Sequence, residues 1–214
     1  MFAEQITRSS PAAGQLVTIA PGLALPGLTM TFAADEEIFG QEEAAEFVYK
    51  VLSGAVRTSC VRSDGSRHIG DFHLPGDVFG LAAGATHRAC AEAIVTSKIG
   101  LVRRSTLERA AERDGDAARQ LWSITSRELA NLQDHLRLLS HKDATRRVGA
   151  FLLKLSRGSS ATLELPMSRE DIGDHLGLTL ETVSRAFGRL TRDQAIALPS
   201  ARRVVLRNTA ALAA

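Results

Sequence analysis

Three polar side chains lie close together in the C-terminal third of the sequence, at Glu181, Ser184 and Arg185. Spacings of three and four residues place them on one side of a helix. An arginine can donate two hydrogen bonds to guanine O6 and N7, a glutamate can accept one from cytosine N4, and a serine can bond to a base or a phosphate. The set could therefore recognise a DNA sequence. Glu181 and Arg185 could instead form only an exposed ion pair, which contributes about 0.3 kcal/mol.

Two short helices joined by a tight turn are predicted to position these side chains. Ser168, with Asp171 three residues on, forms a capping-box start for the first helix. Gly177 can turn the chain with a positive φ, and Thr179 can cap the second helix. This is the spacing of a helix-turn-helix, whose second helix enters the major groove with its first residues near the bases. The buried sides of the two helices are predicted at Ile172, Leu176, Val183, Phe187 and Leu190.

Further groups near this motif suit the DNA backbone. The hydroxyls of Thr179 and Thr182 lie at the positive N-terminus of the second helix and can bond to phosphates. Arg189 and Arg192 continue its polar side. Strand-like residues 196–198 and 203–206, separated by a Pro-Ser-Ala turn, predict a basic hairpin that lies along the phosphates as a wing. The cations of this hairpin are Arg202, Arg203 and Arg207.

The distribution of charge supports a nucleic-acid partner. From Ser140 onward the sequence has 12 Lys/Arg against 7 Asp/Glu, a balance of +5, whereas the first 139 residues carry −3. A basic end on an acidic body suits a protein that presents one end to a polyanion.

A long helix is predicted from about Asp116 to His141. Its apolar and small residues alternate at spacings of four and three, which is the pattern of a coiled-coil seam. Leu121 and Ile124 lie off this seam and could pack within the chain, which would leave the seam for a second copy. The seam consists of Ala118 together with the predicted dimerisation residues Trp122, Thr125, Leu129, Leu132, Leu136 and Leu139.

Other segments restrict the possible functions. Cys60 and Cys90 are too few for a disulfide framework, which favours a cytoplasmic protein. The uncharged stretch 9–34 contains three prolines and three glycines, so we expect neither an export signal nor a membrane span. His68, Asp71 and His73 make a weak metal site, because His68 faces away from the other two in a strand. With no nucleophile motif or phosphate loop present, we expect no enzyme, catalytic residue, cofactor or metal.

The chain resembles the Crp/Fnr transcription regulators over about residues 28–212. The resemblance rests on Gly54, Asp64-Gly65, the PGDVFG segment at 75–80, the long helix and the LETVSRAFGRL segment at 180–190. It implies an α+β fold with an N-terminal β-roll barrel like that of cyclic-nucleotide-binding domains, a long dimerisation helix and a C-terminal winged helix-turn-helix. The expected division is an irregular arm at 1–27, a β-roll at 28–108, the dimerisation helix at 109–141 and the DNA-binding domain at 142–214.

The sequence departs from the better-known members of that family. Leu81 occupies the place of a family glutamate that binds ribose, and His87-Arg88 lies near the place of an Arg-Ser pair. No cysteine precedes Cys60, so the thiolates for an iron–sulfur cluster are missing. What remains is similar to the FixK subgroup.

That subgroup resemblance implies a homodimer that binds a TTGAT-N4-ATCAA-like palindrome without a cofactor, recruits RNA polymerase and activates low-oxygen (microaerobic) genes. The alternative is a ligand-gated regulator with a small-molecule effector in the β-roll.

Overall fold

The computed structural model describes residues 15–61, 65–156 and 161–213. Within these residues it contains twelve strands and six helices, which fall into two compact units, one up to Leu129 and one from Ala130. The strands are β1 Leu16–Ala20, β2 Leu23–Phe32, β3 Glu37–Phe39, β4 Phe47–Ser53, β5 Val56–Val61, β6 Arg67–His73, β7 Val78–Phe79, β8 Cys90–Ala93, β9 Ser97–Arg103, β10 Thr162–Glu164, β11 Ile196–Ser200 and β12 Arg203–Leu206. The helices are α1 Arg104–Arg113, α2 Gly115–Ser140, α3 Ala144–Ser156, α4 Arg169–Leu176, α5 Leu180–Arg192 and α6 Thr209–Ala213.

The first unit is a β-roll made of two antiparallel sheets. One sheet has the strand order β1-β2-β9-β4-β7 and the other has β3-β8-β5-β6. Alternating residues of both sheets point inward, as half-buried antiparallel strands require. Residues that are almost fully buried, such as Val51, Ile99 and Leu101, form a core with a group of aromatic rings. The expected β-roll is confirmed.

The irregular arm expected up to residue 27 is wrong for residues 16–27. These residues form β1 and most of β2, which pair antiparallel around the Pro21-Gly22 turn. Gly22 has a φ of 78°, which a glycine adopts without strain. The alternating side chains Val17 and Ile19 are buried, and β2 continues along β9. The prolines and glycines therefore mark a hairpin and not a loop. Residues 1–14 lie outside the described part of the chain.

The long helix predicted from Asp116 to His141 is present as α2, Gly115–Ser140. In the first unit, its residues Leu121 and Ile124 pack against the core that contains Leu107 and Ala117. The prediction that these two residues pack within the chain is confirmed. No helix among the described residues is long and apolar enough to cross a membrane.

The second unit is a winged helix-turn-helix. α3, α4 and α5 pack around Val148, Phe151, Ile172 and Val183, all of which are almost fully buried. β10, β12 and β11 form a small antiparallel sheet beside them. Residues 157–160, which follow α3, lie outside the described residues, as does Asp64 of the Asp64-Gly65 pair that contributes to the family resemblance.

Cys90 and His73 pack within the β-roll. Cys60 and Cys90 both carry free thiols, and the Cys90 thiol lies 3.1 Å from the Ser59 carbonyl oxygen, to which it donates. His73 is buried, and its ring stacks on Phe79 with centroids 4.9 Å apart. Within the described ranges, no cluster of three or more His, Cys, Asp or Glu side chains is arranged to hold a metal ion.

Candidate nucleic-acid interface

Local capping fixes both ends of α4, the first helix of the helix-turn-helix. The Ser168 hydroxyl accepts from the Asp171 N–H at 3.0 Å, and the Asp171 carboxylate accepts from the Ser168 N–H at 3.0 Å, so the predicted capping box is present. Gly177 ends α4 with a φ of 64°. Gly173 permits the tight turn, because a Cβ there would lie 2.6 Å from the Leu178 carbonyl oxygen.

The second helix, α5, presents its predicted polar side to solvent. Val183, Phe187 and Leu190 are buried, whereas Glu181, Ser184, Arg185 and Arg189 are exposed. The sequence of this helix alternates apolar and polar residues at helical spacing, which determines which side packs on α3 and α4. The three side chains with base-reading chemistry therefore share one accessible surface.

Hydrogen bonds arrange the first turn of α5. The Thr179 hydroxyl accepts from the Thr182 N–H at 3.2 Å and so caps the helix. The Thr179 and Thr182 hydroxyl oxygens are 3.1 Å apart, and the Arg185 guanidinium donates to the Thr182 hydroxyl at 3.3 Å. The two threonines thus stabilise the helix start and orient Arg185, in addition to any phosphate contact.

Glu181 is held in its ionised form at the same helix start. Its pKa is lowered below the ordinary glutamate value by a hydrogen bond from its own backbone N–H, then by one from the Thr179 hydroxyl, with a smaller attraction from Arg185. An ionised glutamate can only accept hydrogen bonds, which fits the exocyclic amine of a base.

A basic groove extends from this surface towards the start of α3. It has a volume of about 470 Å³ and lies between Ala144-Thr145 and the exposed side of α5. Arg185, Arg189 and Arg192 line it, and no acidic residue is among its described lining. Such a groove concentrates positive charge where a phosphate backbone could approach.

Two aspartates lie at the edges of this groove. Asp143 caps α3 by accepting from the Thr145 N–H at 2.6 Å, and this bond is the main reason why the pKa of Asp143 is lowered. Arg189 lies 3.9 Å from the Asp193 carboxylate, and both side chains are mostly exposed. A pair this long and exposed is weak, so Arg189 stays accessible to an anion.

The predicted wing is present, but its cations differ in their surroundings. β11 and β12 pair antiparallel, with Ser200 opposite Arg203. The Arg203 guanidinium donates to the Glu164 carboxylate of β10 at 2.5 Å, so its charge is already paired. Arg202 is exposed and has no ion pair among the described residues. Contact between Arg203 and a phosphate therefore stays a prediction, and Arg202 is the more accessible cation.

Arg169 joins three parts of the unit, and we did not predict this from the sequence. It is the first residue of α4, and its guanidinium carbon lies 3.2 Å from the centre of the Phe187 ring of α5. It also donates to the Ala201 carbonyl oxygen of the wing turn at 3.3 Å. Burial lowers its pKa to about 10, so the side chain remains a cation at neutral pH.

Leu180 is a second residue that sequence reasoning missed. It begins α5, directly before Glu181, and 46% of its surface is exposed. Its spacing of three and seven residues from the buried Val183 and Phe187 places Leu180 on their side of the helix, so periodicity alone predicts a core position and does not reveal its exposure. An apolar side chain beside base-reading groups can contact the methyl group of thymine.

The predicted seam residues of α2 belong to both units. In the first unit, Trp122 is 75% and Leu129 is 58% exposed, and in the second unit Leu132 is 50% and Leu136 is 67% exposed. Thr125 is also exposed, but its hydroxyl donates to the Leu121 carbonyl oxygen of the same helix. Leu139 differs from the prediction in that it is half-buried in this single chain.

Comparison with known proteins agrees with this architecture. Residues 146–214 match the Crp-like helix-turn-helix domain, and residues 29–114 match the cyclic nucleotide-binding domain. The nitrogen fixation regulation protein FixK of Azorhizobium caulinodans is 44% identical over 94% of this chain and 84% of its own length. The FixK of Rhizobium meliloti is 37% identical over 87% of this chain and 86% of its own length.

A solved structure is similar over a comparable length. FixK2 from Bradyrhizobium japonicum superposes with a TM-score of 0.83 at 50% identity, covering 88% of this chain and 96% of that protein. A β-roll unit followed in the chain by a winged helix-turn-helix unit defines a DNA-binding transcription regulator. The chain belongs to the Crp/Fnr family of such regulators, and within that family it is FixK-like.

The side chains of the β-roll do not fit a cyclic nucleotide. Leu81, where the family places a carboxylate for ribose, packs against the apolar core of the first unit. Arg88 is exposed, whereas its neighbour His87 is buried among the rings of Phe39 and Tyr49. Among the described residues, the position of the ribose carboxylate thus holds an apolar side chain, and the position near the Arg-Ser pair holds a buried histidine beside an exposed arginine.

Proposed function

We propose that the protein is a homodimeric activator that binds a TTGAT-N4-ATCAA-like palindrome in the cytoplasm and recruits RNA polymerase to low-oxygen genes without a bound cofactor. The observation that carries this proposal is the shared exposed surface of Glu181, Ser184 and Arg185 at the start of α5. The low-oxygen role and the polymerase contact come from the resemblance to FixK, and the cytoplasmic location comes from the small number of cysteines.

The half-site part of the proposal is supported by donor and acceptor chemistry. Arg185 can bond to the guanine of TTGAT through O6 and N7, and Glu181 can accept from a base amine on either strand. Ser184 lies between them on the same side, while Thr179, Thr182 and Arg189 surround them with groups that can bond to phosphates.

The homodimer part is supported by the exposed apolar residues of α2. Single exposed apolar residues are ordinary, but Trp122, Leu129, Leu132 and Leu136 follow a regular seam spacing on one helix. Burying each leucine would contribute about 2 kcal/mol. A two-fold dimer presents two recognition helices, which matches a palindrome with half-sites about one helical turn apart.

A selection on random duplex DNA tests the operator. The purified chain is incubated with a randomised library, and bound DNA is amplified and sequenced. We expect a TTGAT…ATCAA palindrome to be enriched. Enrichment of an unrelated sequence would contradict the half-site, and enrichment of single half-sites only would contradict the dimer.

A salt titration tests whether phosphate contacts contribute to the binding. The logarithm of the binding constant should fall by about 0.9 for each neutralised phosphate per tenfold increase in salt. A nearly flat response would contradict DNA binding through the basic groove and wing.

The match to the cyclic nucleotide-binding domain favours a second candidate, a regulator gated by a small molecule in the β-roll. DNA affinity of the purified protein without additive separates the two. Strong specific binding supports the cofactor-free function. Weak binding that rises on addition of cyclic AMP, with heat of binding in a calorimetric titration, supports the gated one.

A further inference from the structure

The interior of the β-roll contains a continuous group of aromatic rings with a histidine at each end. The centroids of neighbouring rings lie 4.9 Å apart for His73 and Phe79, 5.2 Å for Phe79 and Tyr49, 5.0 Å for Tyr49 and Phe39, and 3.7 Å for Phe39 and His87. The first, second and fourth pairs are stacked. These rings belong to four strands and to the segment that follows β7, so they connect both sheets.

His87 is the member that comes from outside the strands. It lies between β7 and β8, directly before Arg88, and 3% of its surface is exposed. Its ring is inclined by 14° to the Phe39 ring. The Nε2 atom is buried without a hydrogen-bond partner among the described residues. A neutral imidazole can be buried in this way far more easily than an imidazolium.

The backbone on either side of His87 is joined to the segment that follows β3. The His87 N–H donates to the Glu43 carbonyl oxygen at 2.8 Å, and the Glu42 N–H donates to the His87 carbonyl oxygen at 2.8 Å. The Ala45 N–H donates to the Ala85 carbonyl oxygen at 2.8 Å. These bonds join segment 42–45 to segment 85–87 at one end of the β-roll. The buried His87 ring holds the second segment from the interior side.

We infer that the neutral His87 side chain closes the β-roll. Its ring occupies the interior in place of an effector and holds segment 80–89 against segment 40–45, and protonation of the ring opens this contact. This goes beyond the proposed function, because it assigns a physical trigger to a unit that has no fitting nucleotide ligand. Acidification would charge the imidazole, and the charged ring would leave the apolar interior and release the two segments.

Two titratable groups face the imidazole from the neighbouring elements. Burial lowers the pKa of His87, while the Glu43 carboxylate opposes this lowering. Burial also raises the pKa of Tyr49, so this phenol stays neutral. The closed form binds a proton less readily than an open form, in which histidine has a pKa of about 6.5. The closure is therefore complete above that pH and weakens as the pH falls below it.

Hydrogen exchange of the full-length chain, followed by mass spectrometry, tests the inference. Protection factors, corrected for the intrinsic pH dependence of exchange, are compared between about pH 7.5 and about pH 5.5. In the wild type we expect peptides that cover residues 40–46 and 80–90 to lose protection by roughly tenfold at the lower pH. The peptides of β4 and β9 should change much less.

Two variants identify the group that titrates. His87→Phe keeps a ring for stacking on Phe39 but cannot bind a proton, so its protection should not depend on pH. His68→Phe makes the same substitution at a half-buried position of β6, and its protection should depend on pH as in the wild type. If His87→Phe does not fold, His87→Leu replaces it as the neutral variant.

The inference is overturned if the neutral variant at position 87 keeps the pH dependence of the wild type, or if the wild type shows none. Loss of protection throughout the molecule at the lower pH would also overturn it, since the closure concerns two segments only. A failure of the DNA selection would leave these measurements unaffected, so the two proposals fail separately.

Discussion

Arg185 is expected to carry base discrimination, whereas the cations of the wing are expected to carry only affinity. We predict that Arg185→Ala loses about 1–3 kcal/mol of discrimination at the guanine of the half-site, because the two hydrogen bonds to O6 and N7 are lost. Arg202→Ala and Arg203→Ala should weaken binding to all sequences about equally. Affinities for a panel of single-base mismatches measure the difference.

The pair between Arg203 and Glu164 supplies a control for the wing variants. Glu164→Gln frees Arg203 from its partner. If Arg203 contacts a phosphate, this change should raise DNA affinity. If it does not, affinity should stay unchanged. If Arg185→Ala and Arg203→Ala gave the same profile across the mismatch panel, the separation into base contact and backbone contact would be wrong.

Leu180 is expected to sense a thymine methyl group. Replacing one thymine of the half-site by deoxyuracil removes this methyl and should lower wild-type affinity by about 0.8 kcal/mol. Leu180→Ala should lose affinity for thymine DNA and show little further loss on the uracil substitution. Binding measured for both proteins on both DNAs gives the coupling. A thymine outside the half-site serves as the control position, and additive effects inside the half-site would contradict the contact.

At the scale of elements, Arg169 connects α4, α5 and the wing. Arg169→Ala removes a stack on Phe187 that is worth about 1–2 kcal/mol, so we expect a lower free energy of unfolding and weaker binding to all DNA sequences. Urea denaturation and DNA titration measure the two effects. Arg169→Lys keeps the charge but loses the planar stack, and it should restore little of either.

The salt dependence of binding distinguishes positioning from a direct phosphate contact by Arg169. If Arg169 only positions the wing, the slope of log K against log salt stays that of the wild type in Arg169→Ala. A slope reduced by about one phosphate, together with rescue by lysine, would show that Arg169 itself touches DNA.

The elements that the sequence predicted well are those whose signals are local. Ser168, Gly177 and Thr179 determine the ends of α4 and α5 within a few residues, and the apolar spacing determines their buried sides. The N-terminal hairpin was missed because its prolines and glycines resemble a loop until β2 pairs with β9, some 70 residues away along the chain.

Side-chain partners were predicted less well than elements, for the same reason. The contacts of Arg203 with Glu164 and of Arg169 with Phe187 join residues that are distant in sequence. The inward position of His87 depends on pairing with segment 42–45, which no local pattern reveals.

At the scale of the whole molecule, the apolar residues of α2 decide whether two recognition helices act together. We predict that Leu132→Asp prevents dimerisation, because it places a charge in the middle of the seam, where about 2 kcal/mol of apolar burial per leucine would otherwise be gained. Sedimentation should then give a monomer mass, and binding to the palindrome should fall to that of a single half-site.

The neighbouring substitution Gln133→Asp is the matched control for the dimer. It introduces the same charge one residue further along the same helix, on an exposed position outside the seam. It should leave both the dimer and palindrome binding intact. If Leu132→Asp and Gln133→Asp dissociated the protein equally, a general effect of charge on α2 would explain the result. If neither did, the copies would have to meet through another surface, and the spacing of the half-sites would no longer follow from this helix.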